Sequence, residues 1–207
     1  MKLGRLGLAL AGCLSLSRED RPIHTFTLSL GSSAGGTTAS AGKPGAGILV
    51  VNVPVGQSGF DTPRMAYMLR PYEVSYYATH QWADPPPQML TPLLVQALEQ
   101  TGHWRAIVPM PTSVRGDHRM DIDQVVLVQD FLQKPSQVRV ALRIQLLKLP
   151  EYLVLGTHLF DVAEEAPNDD AYGGVVAANR GVERLVKEVA GWLSGCVSGG
   201  QGTGCSR

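Results

Sequence analysis

Several residue groups in this 207-residue chain are of types that do chemistry, and each can be held against the spacing its chemistry requires. Gly31-Ser32-Ser33-Ala34-Gly35 has the Gly-x-Ser-x-Gly form of a serine nucleophile. A nucleophile elbow must turn directly into a helix so that the hydroxyl stands exposed above a sheet. Low-complexity Gly, Ser, Thr and Ala follow instead, so the segment reads as a loop. His24, His80, His103, His118 and His158 are scattered without the paired spacing of metal ligands. Asp121 and Asp123 share one face of a strand start, which suits either a weak cation contact or charge on a sheet edge. Cys196 and Cys205 flank a flexible Gly-rich stretch and can close a disulfide in an oxidising compartment. In an unstructured tail that bond would matter little. Neither a metal nor a cofactor is expected, and no Gly-x-x-x-x-Gly-Lys-Ser/Thr loop is present to bind a nucleotide.

The strongest chemical signal is at the N-terminus. Lys2 and Arg5 precede a short apolar run, Leu6–Ala11, and Leu10-Ala11-Gly12-Cys13 resembles a lipobox. In that motif the cysteine thiol takes a diacylglycerol and the peptide bond before it is cut, so Cys13 would become the lipidated first residue. Residues 1–12 are then a signal peptide and 13–22 a short tether. The run cannot span a bilayer, whereas several acyl chains anchor stably at about 0.8 kcal/mol per buried CH₂. Leu14 follows the cysteine where an inner-membrane retention signal has Asp. A periplasmic location at the outer membrane is favoured by that resemblance.

A second group of residues suits recognition. Tyr67, Tyr76, Tyr77 and Trp82 are large amphipathic side chains of the kind enriched in contact sites, and Pro85-Pro86-Pro87 would stiffen the segment that presents Trp82. Arg64 and Arg70 would complete a contact rim or stand as solvated hairpin charges. Trp82 has an equally physical alternative, which is to pack over the helix that starts near Gln88.

These residues need a scaffold, and the hydrophobic periodicity supplies one. Ile23–Leu30 alternates with period two, and Gly47–Val53 is a β-branched run suited to a buried strand. Met65–Arg70 and Glu73–Ala78 read as a hairpin. Gln88–Thr101 has apolar residues at helical spacing, and a short strand at Trp104–Val108 should follow. Ile122–Leu132, Val138–Leu149 and Tyr152–Val162 form an antiparallel meander. A helix over Ala171–Ser194, capped by Asp169 or Asp170, packs its apolar face on that sheet. The expected fold is α+β, with a mixed, mainly antiparallel sheet and two helices on one face. The domain spans 23–195 with a flexible internal loop at 31–47, and 196–207 form a disordered Gly-rich tail. Lys plus Arg and Asp plus Glu are equal at 18 each, which excludes a phosphate-binding track for nucleic acid.

The lipobox, Arg64-Met65-Ala66-Tyr67, Val74-Ser75-Tyr76-Tyr77, His80-Gln81-Trp82-Ala83-Asp84-Pro85-Pro86, Gly174-Val175-Val176-Ala177-Ala178-Asn179 and the helix ending Trp192-Leu193 together resemble the ABC-type transport auxiliary lipoprotein component family. The resemblance covers nearly the whole mature chain. It implies a non-enzymatic lipoprotein that binds the MCE-domain protein of an ABC-type system moving phospholipids, sterol-like or other hydrophobic molecules. Two other readings of the same residues remain: a lipid carrier with an apolar groove between sheet and helices, and a generic envelope-assembly lipoprotein.

Overall fold

The computed structural model describes residues 21–31, 47–198 and 205. Leu10, Ala11, Gly12 and Cys13, most of the tether, and the interior of the 31–47 loop lie outside the described residues, as does Ser33, the nucleophile position of the serine motif.

Among the described residues, eight strands and two helices follow one another as β1 (His24–Phe26), β2 (Ile48–Val51), β3 (Arg64–Arg70), β4 (Glu73–Trp82), α1 (Pro86–Gln100), β5 (Ala106–Pro109), β6 (His118–Asp130), β7 (Gln137–Lys148), β8 (Leu153–Glu165) and α2 (Ala171–Ser198). The fold is α+β with a single mixed sheet, as the periodicity predicts. Its long ladders, β6–β7 and β7–β8, are antiparallel. Its short pairings of β1 with β4, and of β2 and β3 with β6, are parallel. Parallel neighbours arise because β6 is long enough to take two partners along one edge: β2 beside His118–Met120 and β3 beside Val128–Asp130.

A one-residue bulge between Asp123 and Val126 makes this fork work. Gln124 takes a left-handed backbone, φ 54°, and the extra residue reverses which side chains face the helices. Met120 and Ile122 point to the helices before it, and Val125 and Leu127 after it, while Val126 and Val128 join a small cluster with Phe60 on the other face.

The main core lies between the sheet and both helices. Val140, Leu142, Ile144 and Leu146 of β7 are fully buried against Val182, Leu185, Val189 and Leu193 of α2. Each such side chain contributes about 1.5–3 kcal/mol relative to exposure. Pro86 and Pro87 form the first turn of α1, where a missing N–H costs nothing, so the helix starts two residues before the expected Gln88. On the helix-free face, Arg139 pairs with Asp161 and Arg143 with Asp123.

The tail expectation needs correction. The helix runs past 195 to Ser198, and Cys196 is buried and disulfide-bonded to Cys205. The Cys205 amide donates to Leu155 O at 3.0 Å, which lays the residue against the edge of β8. Gly156 permits this approach, since a Cβ there would collide with the Cys205 sulfur.

Candidate functional site

Strand alternation, together with a register shift between Tyr76 and Gln81 of β4, divides the expected contact residues among three environments. Trp82 is 3% exposed and belongs to the main core with Met65, Met89 and Leu90. Its burial removes it from any contact surface, and the packing alternative is the correct one. Tyr76 faces the small cluster: its hydroxyl donates to Gly59 O at 2.8 Å, and the Arg64 guanidinium lies 4.0 Å from its ring centre. Those two residues satisfy each other. Arg70 stands in solvent near Glu73.

Tyr67 and Tyr77 turn to the helix side, where they meet partners far away in sequence. Their rings are 4.7 Å apart. From them an aromatic chain runs to Phe131 (6.1 Å from Tyr67) and to His80 (5.8 Å from Tyr77), then through Phe26 to Tyr172. Tyr67, Tyr77, His80, Phe131 and Tyr172 of this chain, with Leu69, Asp169 and Asp170, line an open groove of about 510 Å³ at the start of α2. Leu69 and Tyr172 are 60% and 63% exposed, an unusual outlay of apolar surface on one small area. Beside it, the hairpin tip holds Tyr72 at φ 68° with its ring wholly in solvent, a strained conformation with no packing to explain it.

A buried amide fixes the groove floor. Gln129 accepts a hydrogen bond from the Tyr77 hydroxyl (2.9 Å) and donates to Ser136 Oγ (3.0 Å) and Asp170 O (3.1 Å). It thereby ties β4, β6, the β6–β7 loop and the first turn of α2 together. Gly174 leaves room for this amide, which a Cβ at that position would strike. The Tyr77 phenol is pushed up to about 12, mainly by burial and then by Tyr67 and the Asp170 charge. Asp170 caps α2 by accepting from Gly173 N at 2.6 Å. Asp169 accepts from Ser136 N at 2.7 Å, and that hydrogen bond holds its carboxyl below the usual range.

The remaining candidates are accounted for within the fold. Asp123 is bridged by Arg143, and Asp121 by Arg119 and Asn52, so neither is left to a cation. His24, His80, His103, His118 and His158 all lie against aromatic rings. Among the described residues no three His, Cys, Asp or Glu side chains form a metal-binding group. Phe131, Tyr172 and Phe26 were not singled out from sequence. The available signal was an aromatic residue in the first turn of a helix, Tyr172, beside two acidic caps.

Residues 26–190 match the family model described as ABC-type transport auxiliary lipoprotein component. The chain belongs to that family. As an auxiliary lipoprotein it is a membrane-anchored component of the cell envelope associated with an ABC-type transport system, and none of its described helices is long and apolar enough to cross a membrane. Two solved structures share the fold of this auxiliary lipoprotein. A protein from Xanthomonas campestris is 22% identical with a TM-score of 0.66, covering 83% of this chain and 92% of its own. An uncharacterized protein is 13% identical with a TM-score of 0.62, covering 84% and 99%. No curated protein matches the sequence.

Proposed function

We propose that this auxiliary lipoprotein, anchored through a lipid on Cys13, docks the MCE-domain protein of an ABC-type transport system at the outer membrane, on the path of a phospholipid or other hydrophobic cargo. The supporting observation is the aromatic groove, whose floor Gln129 ties through the Tyr77 hydroxyl and the Asp170 backbone carbonyl while its rings and carboxylates are left uncovered. Such surfaces are typical of protein contact sites. The sheet–helix interface beside Trp82 contains a void of only about 10 Å³, too small for an acyl chain, which favours docking over carriage. The protein has a scaffolding role and performs no catalysis.

The test is site-specific crosslinking from position 172 in the intact envelope, with the captured protein identified by mass as an MCE-domain protein or not. Recovery of an MCE-domain protein from position 172 but not from position 143, on the ion-paired face, is the expected result. Equal recovery from both, or none, rejects the groove as the docking site. Cys13→Ala should release the domain from the membrane fraction, and retention of the variant there would reject that anchor.

A further inference from the structure

We propose that the groove seats an arginine side chain presented by the protein partner, its guanidinium lying on the tyrosine rings and forking onto Asp169 and Asp170. This rests on the docking reading and adds the chemistry of the contact. Tyrosine faces carry partial negative charge and attract a flat cation within about 6 Å of the ring centre. This molecule already uses that contact twice, with Arg64 over Tyr76 at 4.0 Å and Arg119 over Tyr152 at 5.3 Å. Among the described residues no guanidinium lies over Tyr67, Tyr77 or Tyr172.

The carboxylates point the same way. Asp169 and Asp170 each accept a backbone N–H through Oδ1, and Asp169 takes a second hydrogen bond from the Ser136 side chain, so Asp170 Oδ2 is the oxygen most open to an incoming donor and Asp169 adds its charge beside it. Neither is in an ion pair among the described residues, although the Lys134 charge is near enough to act on Asp169. Arginine suits the seat better than lysine because its planar fork both stacks on rings and engages carboxylates in pairs. A choline lipid headgroup fits less well. Its quaternary ammonium could rest on the rings, but its phosphate would face two carboxylates in a lining without Lys or Arg.

The full-length chain, with labelled aromatic rings, is titrated by NMR with N-acetylarginine methylamide, with its uncharged citrulline analogue and with phosphocholine. The arginine probe should shift the Tyr67, Tyr77 and Tyr172 resonances in a saturable, millimolar titration, with citrulline at least about tenfold weaker. Asp169→Asn with Asp170→Asn should weaken the arginine probe about tenfold at unchanged melting temperature, since Asn retains both backbone acceptors. Equal binding of arginine and citrulline, binding of phosphocholine alone, or no shift overturns the proposal. The docking reading is judged separately. Full-affinity capture of the MCE-domain protein by the double Asn variant leaves docking intact and overturns the arginine seat. Failure of the wild-type chain to capture it, with the arginine shifts present, rejects docking and leaves the seat supported.

Discussion

The two faces of the β3–β4 hairpin carry the same kinds of side chain and reach opposite ends. On one face Arg64 covers Tyr76, the Tyr76 hydroxyl is bound to Gly59, and Phe60 and Met68 close around them. On the other, Tyr77 is held by a buried amide with the Tyr67 ring against it, and their neighbours Leu69 and Tyr172 are left in water. Residue type therefore says little about availability for binding. What decides it is whether the fold brings a complementary group to the same face.

The largest way to break this comparison is Trp82→Ala. A ring so buried should cost about 3–5 kcal/mol on removal, read as a urea midpoint shift at constant slope. A loss below about 1 kcal/mol would return Trp82 to the surface and add it to the groove face. Gln129→Leu comes next, at about 2 kcal/mol, because the Tyr77 hydroxyl and Ser136 lose a buried partner. Slow-exchanging Tyr77 signals surviving in that variant would show that the groove floor does not depend on the amide.

Tyr77→Phe removes one hydrogen bond and should cost about 1 kcal/mol at neutral pH. It also carries a pH signature. The folded phenol titrates at about 12 against an ordinary 10, so the native state holds its proton longer than the unfolded chain does. The associated stability is complete below pH 10 and is lost as pH rises from there through 12. Wild type should lose stability over that window faster than the Phe variant, and parallel urea curves for both would contradict the assignment. Arg64→Ala is the smallest effect, about 0.5 kcal/mol at this exposed ring contact, and should leave partner capture unchanged. A capture defect would show that both hairpin faces belong to the interface.

Much of this was legible before the structure. Strict alternation in Val138–Leu149 and helical spacing in Val182–Leu193 fix β7 and α2, since each pattern has one burial solution. Three things were not. The bulge at Gln124 is marked only by one polar residue where alternation calls for an apolar one, and the all-apolar run Val125–Val128 that follows hides which face each side chain takes. The parallel placement of β2 and β3 along one edge of β6 is a matter of topology, invisible to local pattern. The groove joins residues near 67, 77, 131 and 172, so its parts carry no common spacing. Tyr76 and Tyr77 were read together because they are adjacent, but adjacency on a strand sends side chains to opposite faces.

The closure at Cys205 makes two distant positions interdependent over evolutionary change. Alanine at 156 meets the Cys205 sulfur only while the Cys196–Cys205 clip is closed, and meets the Trp192 ring at 3.2 Å in either case. The same substitution is thus a severe lesion in one genetic background and a mild one in another. A chain without the cysteines would be relieved of the sulfur contact at 156, while the Trp192 ring would still limit any larger side chain there.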